Sequence, residues 1–578
     1  MNESFDFVVV GSGAGSLCAA LLMRDAGKSV VVLEKADLLG GTTATSGGVM
    51  WIPNNRYMKA QGIDDSRDQA IAYMDAVIGD SGDTPGTSHE RRVAYVDASQ
   101  QMLEYLISKG LHFRRIPSWP DYHAAAGESE HGRTVISELF DLNQLGEWKE
   151  KLRPGFLPLA GYIEEAMQLP TMKRSLKSFG TLLKMIGRTL GTRLAGKHYA
   201  TAGQALQAQL LHAAVAAGVE IRTNAGVKQL VEESGKVTGV AIDKDGQNWR
   251  IGANLGVLLN AGGFAKNQRM LDQYIPGAKT EWSGASESDT GEMIEEGTRL
   301  GAAIAQMDQR VGYPVTMVPG KDAPVYMQSD LAKPHTILVD QSGERYQKEA
   351  ASYMALSNGI LERNQQSAAI PSWMIFDSQY TSTFMLAGTM PNKKKLAAWE
   401  EAGFLKQGDN LPALAQACGI KAATLEATVS RFNGFVAAGR DEDFHRGDHA
   451  YDNWLGDPLA KGSKTLGKIE QGPFYALPIY PGDVSTFGGL VTDVNARVLR
   501  DDGSVLEGLY ATGVSSASVM GKKATGAGAS IGPSLAWAYL AAKHALSTSE
   551  PGSELNSAPD SKIDSNTSTT PLTTNETI

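Results

Sequence analysis

Residues 5–34 read FDFVVVGSGAGSLCAALLMRDAGKSVVVLE. Phe5 to Val10 is a short apolar run rich in β-branched residues, the composition of a buried strand. It stops at Gly11-Ser12-Gly13-Ala14-Gly15-Ser16, and Leu17 to Ala26 then has the pattern of a helix. A second apolar run, Ser29 to Leu33, closes on Glu34. A strand, a glycine turn, a helix, a second strand and an acid roughly 20 residues past the turn make a βαβ dinucleotide-binding unit. Gly11 permits the tight turn. Gly13 lets the backbone approach a pyrophosphate, whose charge the unpaired N–H groups of the helix N-terminus favour. Glu34 is placed to accept from a ribose 2′-OH. The third glycine stands at Gly15, with Ser16 where the pattern has it, and serine is small enough for close helix–strand packing. The chain has 63 glycines, so it is the flanking strands and the acid that make this reading specific.

Working outward, Gly40-Gly41-Thr42-Thr43-Ala44-Thr45-Ser46-Gly47-Gly48 is a run of small and hydroxyl residues. Such a run lets the backbone lie against a large planar ligand and donate several short hydrogen bonds. An apolar stretch, Leu255 to Leu259, ends in Asn260-Ala261-Gly262-Gly263-Phe264, a second point of close approach. Parallel-strand signals resume at Leu490 to Arg500 and Gly508 to Ala511, and the small residues of Thr512 to Pro533 lead into a last helix, Ser534 to Leu546. The mixed pattern from about 275 to 465 reads as an inserted domain. Phe113 to His123, with Trp119 and Tyr122, reads as an irregular wall. Met172 to Lys197 carries seven Lys or Arg and no acid among its apolar residues. It is expected to be either the solvated face of a lid or a contact for an anionic membrane surface.

Composition narrows the class. A chain of 578 residues is expected to form more than one domain. A net charge of −10 gives no general attraction to nucleic acid. Cys18 and Cys418 are too few for a disulfide framework or a zinc cluster, and the ten His show no metal-ligand spacing. The first strand begins within a few residues of Met1, so no signal peptide is expected. No apolar run is long enough to span a bilayer. A cytoplasmic protein without a metal is the expectation.

Four blocks, Gly11–Glu34, Gly40–Asn55, Asn260–Phe264 and Gly508 through Pro533, together resemble the flavoproteins of the fumarate reductase and 3-ketosteroid dehydrogenase superfamily over about residues 5 to 546. The resemblance implies an α/β fold. A Rossmann-like FAD-binding domain would be built from 1–275 and 466–548, with an inserted α+β catalytic domain at 276–465 and a disordered tail at 549–578. FAD would be held non-covalently, since Gly40–Gly48 contains no His. Its contacts are expected at Gly11, Gly13, Gly15, Ser16, Glu34, Gly40, Gly41, Thr42, Thr43, Ser46, Gly47, Gly48, Val227, Ala261, Gly262, Gly513, Ser530 and Ile531.

Three features sort the subfamilies. Trp51-Ile52-Pro53-Asn54-Asn55, Tyr475 to Gly489 and Val519-Met520-Gly521 are closer to the steroid dehydrogenases. A dicarboxylate needs fixed cations, yet the catalytic Arg of the reductases is replaced by Tyr353, four residues after Glu349. Their His before a Thr-x-Gly-Gly element is replaced by Ser485. By resemblance, Tyr353 is the proton-abstracting phenol, Tyr122 its hydrogen-bonding partner and the Gly528 N–H a donor to the ketone oxygen. A free tyrosine titrates near ~10 and needs help as a base at neutral pH. The Tyr that assists Gly528 in the Δ1 enzymes is Ala524 here, and losing one oxyanion donor costs about 3 kcal/mol in general. Thr525 and Tyr480 are the candidate replacements. The implied reaction is 1,2-desaturation of a 3-ketosteroid with hydride transfer to the flavin and an electron acceptor that the sequence does not name. The alternatives are a Δ4 dehydrogenase, a flavin-dependent enoate or fumarate-type reductase, and a flavin-binding protein without catalysis.

Overall fold

The computed structural model describes residues 2–79, 84–244 and 246–548; the tail expected at 549–578 lies outside them. The opening stretch forms the centre of a parallel sheet. Its strands run in the order Val505–Ala511, Gln247–Leu259, Glu3–Val10, Val30–Leu33 and Glu220–Arg222. Phe7 to Val10 and Val30 to Leu33 are buried on both faces, which accounts for their unbroken apolar runs. The helix Ala14–Asp25 packs on this sheet and is covered in turn by the C-terminal helix Ile531–Ser547. Residues from both ends of the chain thus share one core.

An antiparallel hairpin, Val227–Glu233 and Lys236–Lys244, extends the outer half of Gln247–Leu259. Leu255 to Leu259 is the apolar end of this one long strand. Leu490 to Arg500 does not supply a parallel strand. Arg497–Leu499 is short and runs antiparallel at the sheet edge, because it turns back directly onto Val505–Ala511.

A second, wholly antiparallel sheet has the order Val325–Tyr326, Arg310–Thr316, Phe474–Thr486, Ser372–Asp377 and Thr336–Val339, with Lys406–Gly408 also on Phe474–Thr486. The long strand Phe474–Thr486 pairs with Ser372–Asp377 through its first half and with Arg310–Thr316 through its second. The range 466–548 thus holds the central strand of the second sheet as well as strands of the first. Two sheet memberships for one stretch are invisible to local periodicity, because a strand buried on both faces reads alike in either sheet. The helix Tyr353–Asn364 lies against this sheet, with Ser357 Oγ donating to Gly482 O at 2.7 Å and accepting from Arg310 Nη2 at 2.8 Å.

A third, small sheet has the order Val49–Trp51, Thr134–Ser137 and Phe113–Arg115. Phe113–Arg115 is its edge, and only the remainder to His123 is irregular. Arg133 is fully buried and pairs with both Asp65 and Asp121, while Trp51 Nε1 donates to Asp121 at 2.7 Å. One guanidinium between two carboxylates, each with further donors, fixes the loop that carries Tyr122.

Candidate active site

The glycine turn is held by its neighbours as much as by itself. Gly11 has φ +94°, and a Cβ there would lie 2.3 Å from Asn260 O. Gly13 caps the helix Ala14–Asp25 without a side-chain bond, and the first turn has no acid, so its N–H groups stay available to an anion. Gly15 serves a purpose the motif does not announce. A Cβ there would lie 2.6 Å from Ser534 O, so its smallness admits the C-terminal helix rather than the strand. Ser16 Oγ accepts from Asn260 Nδ2 at 3.0 Å. Glu34 Oε2 accepts from Ser12 N and Oγ at 3.1 and 2.6 Å, and Ser12 Oγ accepts from Gly40 N at 2.9 Å. The carboxylate keeps acceptor capacity for a ribose hydroxyl.

The run Gly40–Gly48 contains a short helix, Gly41–Thr45. Gly41 has open space where its Cβ would stand, whereas Gly48 needs to be glycine because a Cβ would meet Ala202 C at 2.3 Å. Ser46 Oγ and Gly48 N bond to each other, and Thr43 O accepts from Ser46 Oγ. Thr42 Oγ1 accepts from Ser286 N at 2.9 Å. Gly47 sits beside Ile163. Ala261 N and Gly262 O both bond Ser515 Oγ, and Gly513, at φ +61°, abuts Asn260 Oδ1. Ser530 and Ile531 open the C-terminal helix. Val227 heads its strand with its side chain in the apolar core under the sheet.

Two side chains join these pieces. Asn260 takes its N–H to Val10 O at 3.0 Å, its Nδ2 to Ser16 and its Oδ1 to Ser534 Oγ at 3.3 Å. It therefore ties the first strand, the first helix and the last helix together. Asp289 is buried against Gly262, accepts from Ser485 Oγ at 3.1 Å and leaves Oδ1 without a partner. Desolvation pushes its pKa up to about 7. Glu292 turns outward to Lys35 at 2.8 Å.

The tyrosines form a cage. Tyr353, at the start of its helix, meets Tyr122 edge-on at 5.6 Å and stacks on Tyr313 at 4.7 Å. Tyr122 also meets Tyr451, which stacks on Trp454, and Trp454 stacks on Trp119. Gln328 accepts from Tyr313 Oη and donates to Tyr451 Oη. Burial raises the Tyr353 pKa, and the nearby Tyr122 hydroxyl offsets part of the rise. Burial and the neighbouring phenols push Tyr122 and Tyr451 well above the ordinary range. Of the contacting pair, Tyr353 is the easier phenol to ionise. The buried Tyr122 hydroxyl makes no hydrogen bond of normal geometry to the chain, so it is free to meet a group brought in.

Tyr122 N donates to Thr525 O at 3.0 Å, which fixes the cage to the loop 524–528. The buried Gly528 has φ +99°, and a Cβ would lie 2.4 Å from Trp51 N. Its N–H finds no acceptor among the described residues. Ala524 is buried, and its carbonyl accepts from His123 Nε2. Thr525 Oγ1 is directed at Met520 Sδ, 3.6 Å away, so it does not replace the missing phenol. Tyr480 lies across from Val315, on the face of the sheet that carries Tyr313, and stacks on Trp282. Arg345 is locked between Glu349 and Asp441, leaving it no charge to offer a substrate carboxylate.

Comparison with known proteins bears on this arrangement directly. The FAD binding domain family matches residues 6–531. A 3-oxosteroid 1-dehydrogenase of Mycolicibacterium smegmatis is 37% identical over 94% of this chain and 97% of its own. The chain belongs to the FAD-dependent 3-ketosteroid dehydrogenase family. A crystal structure of the 3-ketosteroid Δ1-dehydrogenase of Sterolibacterium denitrificans, in complex with 1,4-androstadiene-3,17-dione, superposes with a TM-score of 0.87 at 33% identity. It covers 95% of this chain and all of that one. A 4-oxocyclohexanecarboxylate 2-dehydrogenase of Sinomonas cyclohexanicum is 32% identical over 94% of this chain and 93% of its own. FAD is thus the cofactor of this dehydrogenase fold. The uncapped helix N-terminus, the open side of Gly41 and the unpaired Asp289 Oδ1 suit a group of that kind.

Proposed function

We propose that this chain desaturates the C1–C2 bond of a 3-ketosteroid. Bound FAD supplies the hydride acceptor. The protein's part is to remove the proton α to the ketone and to steady the charge that develops on oxygen. The Tyr353 phenolate takes the proton and becomes a neutral phenol; before that step Tyr122, the harder phenol to ionise, donates to its oxygen. The Gly528 N–H binds the ketone. With Ala524 in place of the family's tyrosine, Tyr480, on the same face of the second sheet as Tyr313, is the candidate for a second hydroxyl. The observation that carries this reading is the Tyr122–Tyr353 contact fixed through Thr525 to a loop whose Gly528 N–H is unpaired.

Ala524 enlarges the place where the relatives keep a phenol, and no arginine is free in the position a dicarboxylate would need. Both points favour a bulky neutral ketone over fumarate or a ring carboxylate. The names of the relatives support 1,2- over 4,5-desaturation. Anaerobic mixing of the holoenzyme with a 3-ketosteroid saturated at C1–C2 is expected to bleach the visible flavin absorbance and yield the 1,2-unsaturated product. Absence of bleaching with any ketosteroid overturns the reading, and a product unsaturated at C4–C5 replaces it with the Δ4 alternative.

A further inference from the structure

The helix Leu176–Leu194 is mounted inside out. Its packed side is mostly polar: Ser178 and Thr189 are buried beside Met185, and Arg188 pairs with Glu165. Leu176, Phe179, Leu183, Ile186, Leu190 and Leu194 face outward, the first and last about nine-tenths exposed. At 3.6 residues per turn these six fall on one stripe. Among the described residues, eight of the eleven exposed large apolar side chains lie between Phe156 and Leu194. A contiguous apolar patch of this kind marks an interaction site.

Charge identifies the occupant. The chain as a whole is acidic, yet 172–197 has seven basic residues and no acid. Among the described residues no carboxylate pairs with Lys177, Arg193 or Lys197, and all three are exposed. Among the described residues no helix is long and apolar enough to cross a membrane, so an amphipathic helix such as this one would lie in the plane of a surface. An apolar stripe flanked by unpaired cations fits acyl chains beneath anionic headgroups. We infer that 156–197 docks the enzyme on an anionic lipid bilayer through this stripe.

The position of the segment gives the docking a purpose. Ile163 sits against Gly47 of the glycine loop, and Met185 against Gly161. Further along, Lys173 Nζ donates to Pro391 O and Arg174 pairs with Asp457 at 2.7 Å. The segment therefore bridges the glycine loop and the part of the chain that carries the second sheet. Docking would hold that seam against the lipid in which an apolar ketone concentrates. This consequence rests on the function proposed above, whereas the docking itself does not.

Flotation of the FAD-bound full chain with vesicles tests the docking without reading activity. Recovery with phosphatidylcholine–phosphatidylglycerol vesicles at low salt is expected to exceed that with phosphatidylcholine alone by about tenfold or more, and to fall as salt rises. The double variant Leu183→Asp/Leu190→Asp is expected to lose this binding while keeping its flavin spectrum. If that variant fails to fold, Lys177→Gln/Arg193→Gln/Lys197→Gln carries the test through loss of the preference for anionic vesicles. Equal recovery of parent and variant overturns the docking. So does a parent that binds no vesicles and elutes as a dimer which the variant splits, since a second copy is then what covers the stripe.

Discussion

The cofactor cradle and the tyrosine cage are built by opposite means. The cradle is made of backbone: Gly11, Gly48, Gly262 and Gly513 all have positive φ, and at each a Cβ would come within 2.6 Å of a neighbour. The cage is made of side chains: four tyrosines and two tryptophans in mutual contact, joined by one glutamine. A cradle of this kind fails when an atom is added and a cage when an atom is removed. Binding and chemistry should therefore be separable by single substitutions.

The largest effect belongs to the cradle. Gly11→Ala puts a methyl into Asn260 O at a left-handed backbone position, where strain alone costs of order 1–3 kcal/mol before any clash. The variant is expected to purify without FAD, judged by its visible spectrum, while circular dichroism shows the fold retained. Stoichiometric FAD in this variant would mean that the turn does not set the approach to the cofactor.

Next comes the cage. Tyr353→Phe removes one oxygen from a ring that keeps its stacking on Tyr313. FAD should stay bound, while flavin reduction by a 3-ketosteroid falls by about 10²–10⁴-fold, the range for loss of a general base. The wild-type rate should also climb with pH through the alkaline range, because burial holds the Tyr353 pKa above that of a free phenol. Tyr122→Phe should push that limb further up, since Tyr122 is what offsets the rise. Reduction at a similar rate in Tyr353→Phe would make Tyr353 a wall residue.

The same contrast explains what the sequence shows. Cradle positions are legible because a backbone requirement leaves one residue type at a fixed spacing from a strand and a helix. Gly11, Gly13 and Glu34 were readable in this way. Gly15 and Gly48 were readable as glycines but not as to their reason, which lies in Ser534 and Ala202, far along the chain. The cage leaves no local pattern. Tyr122, Tyr313, Tyr353 and Tyr451 come from four separate stretches, and only a family resemblance picked out two of them. Asn260 was readable as the head of the Asn260–Phe264 block but not as to its partners, and Asp289 went unnoticed because aspartate is an ordinary loop residue until its partners are known. The outward leucines of 176–194 follow a regular helical period, but period alone does not say which face the body covers.

The smallest effect is expected where cradle and cage territory meet. Asp289 lies against Gly262 of the first and, through Ser485, against the long strand of the second sheet. Its pKa rises from 3.8 to about 7, and that of neighbouring Asp483 to about 6, both because burial opposes charge. Between about pH 4 and pH 7 the folded state thus holds protons that the unfolded state has released, and stability falls as pH climbs through that window. The loss is complete above the folded pKa. Asp289→Asn keeps the shape and removes this site's share. The melting temperature of the variant relative to the parent is expected to be a few degrees more favourable at about pH 8 than at about pH 5. An equal difference at the two pH values would mean that the carboxyl ionises normally, with its unpaired Oδ1 reached by a donor. Asp289 would then be a carboxylate at neutral pH held by that donor, and the border between the two regions would carry its buried charge.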